Sequence, residues 1–169
     1  AEYHVKIKRD ANNVAYIPRL LQLHTDLPFY RQKPGTIFLH CIEQTKTKGG
    51  ESLLTDGFYV AEKLRSENKE IFDILSNIHV NWFDRGTDDQ LEFNKVYRAP
   101  VICLNSKGEI ESLNHNIARR DSHFTTDIKN VKLWYKALKV FVEKINTHAA
   151  EFKLQPGKNI LFRYSQENG

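Results

Sequence analysis

Methionine is missing from this chain altogether, the initiator included, so the sequence is expected to be a processed or excised piece of something longer, whose ends need not be domain ends. Cysteine is nearly missing too. Cys41 and Cys103 are two residues, too few for a disulfide framework or a four-cysteine zinc site, and they fit a reducing compartment in which each serves as a small buried hydrophobe. No apolar run approaches the ~20 residues of a membrane span. The opening Ala-Glu-Tyr-His lacks the basic-then-apolar order of a secretory or transit segment. Together these absences lead to the expectation of a cytoplasmic protein that engages no membrane. Blocks of one charge are also lacking: 25 Lys and Arg alternate with 21 Asp and Glu throughout the chain, for a net charge of +4. That scatter argues against nucleic acid as a partner, while a mild positive balance suits a small anionic substrate drawn toward a cleft.

Apolar material, by contrast, is plentiful. Ten Phe, seven Tyr and two Trp in 169 residues supply one core, and a chain of this length buries roughly 70% of its unfolded surface. Strand-like runs lie at Leu20 to His24, Thr36 to Thr45 and Glu51 to Thr55, with turn residues at Pro28, Pro34-Gly35 and Gly49-Gly50 between them. Asp56 and Asn68 are N-caps for helices from Phe58 to Ser66 and through Ile71, Phe72 and Leu75. Strands resume at His79 to Phe83 and Val96 to Leu104, and Ser106-Lys107-Gly108 turns into Glu109 to Leu113. Val131, Trp134, Leu138, Phe141 and Ile145 form one apolar helical stripe. Phe152 to Leu154 and Asn159 to Tyr164, flanking Pro156-Gly157, read as a closing hairpin. The expected fold is mainly β with inserted helices, the α+β pattern that builds a jelly roll, as a single domain over residues 1–169.

His24-Thr25-Asp26 is the first candidate for chemistry, because alternate residues at a strand end project to one side and can present an imidazole and a carboxylate to one metal. Spacing alone carries little weight. Seven His and 21 acids in this length produce roughly 0.9 His-x-acid matches by chance. The order of the surrounding segments carries more: Ala11-Asn12-Asn13-Val14-Ala15-Tyr16 upstream, then Pro34-Gly35, His40-Cys41, Gly49-Gly50-Glu51-Ser52 and Asp56-Gly57-Phe58 downstream. From Ala11 to Phe162 this series resembles the γ-butyrobetaine hydroxylase family of TauD-like, Fe(II)- and 2-oxoglutarate-dependent oxygenases, whose core is a double-stranded β-helix.

The resemblance implies roles by position. His24 and Asp26 would be two iron ligands and catalytic residues. Ser52 would donate its hydroxyl to 2-oxoglutarate. Tyr16 would belong to an aromatic cage around a trimethylammonium group, whose cation is attracted to ring faces, and Asn13 and Asn116 would contact the substrate. Asn116 is followed by Ile117 where the family has a second asparagine. The implied reaction is hydroxylation of γ-butyrobetaine, a quaternary ammonium carboxylate, to L-carnitine with O2, coupled to decarboxylation of 2-oxoglutarate to succinate, with ascorbate as reductant. Trimethyllysine dioxygenase is the alternative within the class, with a mitochondrial location. A truncated, non-catalytic remnant of the fold is the alternative outside it. A homodimer is left open.

The other histidines carry no ligand spacing. His40 beside Cys41 reads as a core histidine with a hydrogen-bonded ring, and neighbours on a strand face opposite sides, which argues against a Cys41-His40 nucleophile. His79, His115, His123 and His148 are nominated for nothing. After Phe162 the likeness ends: Arg163 to Gly169 match neither the family's Asp-Asn-Trp-Arg nor its His-Gly-Arg. The distal iron histidine, the arginine that would grip 2-oxoglutarate in bidentate fashion, and the family's N-terminal zinc-binding domain are unmatched. This chain alone is therefore expected to hold iron weakly and turn over poorly.

Overall fold

The computed structural model describes residues 21–88 and 91–163, which form eight strands, three α-helices and a short 3₁₀ turn at Ile117–Arg119. All strand pairing among them is antiparallel and two by two. β1 (Thr36–His40) pairs with β8 (Asn159–Arg163), placing Thr36 opposite Arg163 and His40 opposite Asn159. β2 (Ser52–Leu54) pairs with β7 (Ala150–Phe152), placing Ser52 opposite Phe152. β3 (Val80–Asp88) and β4 (Leu91–Ala99) form a long hairpin, and β5 (Ile102–Leu104) with β6 (Ile110–Leu113) a short one.

The closing hairpin expected around Pro156-Gly157 therefore does not form. β7 and β8 turn away from each other, and each finds a partner more than ninety residues upstream. Local turn chemistry is legible in a sequence; the competing long-range edge is not. Two further corrections have physical causes. The run Val96 to Leu104 is broken after Ala99 because Pro100 has no N–H to give a ladder, and its carbonyl accepts instead from Asn114 Nδ2 at 2.9 Å. Residues 21–24 are irregular rather than a strand, and the strand from Thr36 stops at His40, where Gly157 N and Lys158 O close on Cys41.

Helix boundaries follow the capping residues. α1 (Gly57–Glu67) starts where Asp56 accepts from Tyr59 N at 3.0 Å. Asn68 ends it by donating its backbone N–H to Leu64 O, then starts α2 (Lys69–Asn77) by accepting from Ile71 N. α3 (Ile128–Thr147) buries Trp134, Ala137, Leu138, Phe141 and Ile145. That stripe packs on Val60, Leu64, Phe72 and Leu75 of α1 and α2 and on Val80, Trp82, Ile110 and Leu113 of the hairpins. Helix α3 is held at its C-terminal end by Thr55 Oγ1, which donates to Ile145 O at 2.7 Å, and by Lys144, 2.6 Å from Glu67. None of the described helices is long and apolar enough to cross a membrane.

Candidate metal centre

His24 and Asp26 meet. Nε2 of His24 stands 3.2 Å from Oδ1 of Asp26, with side chains 27% and 44% exposed, so the pair faces solvent rather than core packing. The other ring nitrogen, Nδ1, donates to Gln22 O at 2.7 Å. This backbone hydrogen bond fixes the tautomer that leaves Nε2 turned to the carboxylate, the arrangement that orients ligating histidines elsewhere. The hydrogen bond that protonated Nε2 of His24 donates to Asp26 is the main reason the His24 pKa is raised, with burial opposing it. Leu27, the next residue, has φ 53. A left-handed leucine costs on the order of 1–3 kcal/mol, strain that concentrates at functional sites.

Two cis positions of an octahedron with bonds near 2.1 Å lie about 3 Å apart, and the N–O pair matches that separation. The donor set, one imidazole and one carboxylate, also matches two-thirds of the facial triad of a non-haem iron site. Among the described residues no group of three His, Cys, Asp or Glu could hold a metal ion.

A second segment is bound to the first. Thr25 N donates to His115 O at 2.6 Å, His115 N donates to Thr25 Oγ1 at 2.9 Å, and Asn116 Nδ2 reaches Thr25 O at 3.5 Å. Asn116 is thereby brought beside the His24-Asp26 pair. What holds its segment is a set of anchors on both sides. Asn114, fully buried, donates to Pro100 O. Arg119 pairs with Asp84, Asp121 N donates to Asn81 O at 2.8 Å, and the Arg120 guanidinium lies 5.1–5.7 Å from the Phe124, Trp134 and Tyr135 rings.

Ser52 opens β2, half-buried, and shares no hydrogen bond with the His24-Asp26 pair. Its strand begins after Gly50, whose φ of +77 and close approach to Gln44 leave no room for a side chain. Asn13 and Tyr16 lie outside the described residues. His40 is exposed, not a core residue, although its ring is hydrogen-bonded, to Asn159 Oδ1 at 2.6 Å. The buried histidine is instead His115, 4% exposed, with a pKa pushed down to about 4 by burial and by the neighbouring His24. Sequence spacing missed it. The one available signal was the polar triplet Asn114-His115-Asn116 placed directly after an apolar strand.

Residues 3–163 match the model of the taurine catabolism dioxygenase TauD, TfdA family. The human gamma-butyrobetaine dioxygenase is 41% identical over 162 residues, 95% of this chain and 41% of that protein. A bovine mitochondrial trimethyllysine dioxygenase is 28% identical over 153 residues, 89% of this chain and 36% of that one. The chain thus spans about two-fifths of the length of these relatives. An asparagine oxygenase solved with Fe(II), 2S,3S-3-hydroxyasparagine and succinate superposes with a TM-score of 0.63 at 19% identity, over 88% of this chain and 43% of that one.

Proposed function

The chain belongs to the taurine catabolism dioxygenase TauD, TfdA family, and on that premise we propose that it is the ligand-bearing part of an Fe(II)- and 2-oxoglutarate-dependent hydroxylase converting γ-butyrobetaine to L-carnitine. The observation that carries the metal chemistry is the 3.2 Å approach of His24 Nε2 to Asp26 Oδ1, with Nδ1 tied to Gln22 O. Identity of 41% to a gamma-butyrobetaine dioxygenase, against 28% to a trimethyllysine dioxygenase, favours the former as substrate class. The nested pairing of β1 with β8 and β2 with β7 supports a double-stranded β-helix as the frame.

In this reading His24 and Asp26 hold ferrous iron on one face. The metal, with 2-oxoglutarate bound and ascorbate as reductant, supplies the oxygen activation. The residues of this chain supply placement. Gln22 O holds the His24 ring; the Thr25–His115 hydrogen bonds lock Asn116 beside the pair, where its amide can orient a substrate carboxylate or hydroxyl. Ser52 takes the cosubstrate carboxylate, and Asn13 and Tyr16 the substrate, Tyr16 through its ring face. Incubating the chain with Fe(II), 2-oxoglutarate, ascorbate and either amine, and analysing products by mass spectrometry, tests the reading. Slow formation of carnitine with matching succinate is expected. Product from trimethyllysine alone would reassign the substrate, and no product or binding with either amine would remove the hydroxylase reading.

A further inference from the structure

On the opposite face of β2 from Ser52, a cavity of about 160 Å3 lies between residues 21–23 and the last turns of α3. Its walls are Leu21, Leu23, Leu53, Val142 and Ile145 with three polar residues, Gln22, His115 and Asn146. Leu53 and Ser52 are neighbours on a strand and so project to opposite sides, which separates this space from the side assigned to the cosubstrate. Two observations make it more than a packing gap. First, its volume is large enough for a benzene-sized guest, and partly exposed Leu21 at the rim gives access from solvent. Second, of the polar side chains in the wall, Asn146 already donates its Nδ2 to Val142 O at 2.7 Å, while buried His115 has no side-chain hydrogen bond among the described residues. His115 is 4% exposed, and its hydrogen bonds among the described residues, all to Thr25, run through its backbone alone. The ring itself is fixed edge-on against Phe141, centroids 5.4 Å apart, and forms part of the cavity wall. Buried polar groups are nearly always hydrogen-bonded, and each exception calls for a partner that completes it.

We propose that this cavity binds a small uncharged molecule of about benzene size carrying one hydroxyl group, with the carbon frame against Leu23, Leu53, Val142 and Ile145 and the hydroxyl hydrogen-bonded to the His115 ring. A charged guest is disfavoured, because the walls named hold no opposite charge to compensate the loss of water. A plain hydrocarbon would fill the volume but leave the imidazole unpaired.

Phenol and benzene serve as probes, titrated into the full chain while the methyl signals of Leu23, Leu53, Val142 and Ile145 are followed by NMR. Phenol is expected to shift those methyls saturably and to bind about threefold to tenfold more tightly than benzene, the equivalent of one net hydrogen bond. His115→Phe, which keeps an aromatic ring of similar bulk, should bring phenol down to the affinity of benzene. Val142→Phe, which fills the space from α3 and leaves His115 in place, should abolish binding of both. Absence of saturable shifts at those methyls, as when water alone occupies the cavity, would overturn the proposal, as would phenol binding unchanged in either variant.

Discussion

Among single residues, His24 and His115 contribute to stability with opposite pH dependence. His115 has its folded pKa lowered to about 4 from an ordinary 6.5, first by burial and then by His24. The unfolded chain therefore binds the proton more readily between those values, and stability is lost as pH falls through that window, by on the order of 3 kcal/mol. His24 works the other way: its pKa is raised, so its contribution is complete below 6.5 and disappears as pH rises through its folded value. The acid window thus belongs to His115. Denaturant unfolding of His115→Phe between pH 7 and pH 4 should show a markedly flatter dependence than the parent. Because the Asp26 hydrogen bond is the largest cause of the raised His24 pKa, Asp26→Asn should bring that pKa down, read from imidazole NMR signals against pH; an unchanged value would break the pairing seen at 3.2 Å. The spacing of His24 and Asp26 was legible in the sequence because two alternate residues meet through local geometry. The burial of His115 was not, since it depends on residues 21–27 folding onto a segment some ninety positions away.

For the elements, what could be read was what is local. Asp56 and Asn68 cap helices as their side chains dictate, and the stripe through Trp134, Phe141 and Ile145 faces inward. Strand ends were harder. Residues 21–24 are apolar and β-prone yet irregular, because Thr25 spends its backbone N–H on His115 rather than on a ladder. Asn68→Ala removes a cap and should cost about 1 kcal/mol in unfolding free energy, whereas Asn68→Gly should cost only a few tenths. Gly57 opens α1 so close to β6 that an added Cβ would stand 2.6 Å from Leu113 Cδ1. Gly57→Ala should therefore destabilise by about 1–3 kcal/mol through overpacking, and restoring space with Leu113→Val in the same chain should recover part of that loss.

Across the whole molecule, stability is distributed unevenly. The core joins α1, α2 and α3 to the β3–β4 and β5–β6 hairpins, whereas no residue of the β1–β8 pair is buried and Phe38 and Leu161 are 68% and 46% exposed. Amide hydrogen exchange should therefore be fast in β1 and β8 and slow in α3 and β3, since opening energies track buried contacts. The His24-Asp26 pair is joined to the well-packed part through the Thr25–His115 hydrogen bonds. Order along the chain revealed the family, but pairing of distant edges such as β2 with β7 is a property of the assembled fold. The proposed function requires His24 and Asp26, an imidazole and a carboxylate two residues apart, to form a divalent-metal site. Titrating Mn(II) into the chain and following its NMR signals by paramagnetic broadening tests this most directly. Signals of His24, Thr25, Asp26 and Asn116 should broaden first, and both His24→Ala and Asp26→Ala should raise the Mn(II) concentration required at least tenfold; broadening centred elsewhere, or unchanged in both variants, would contradict the account.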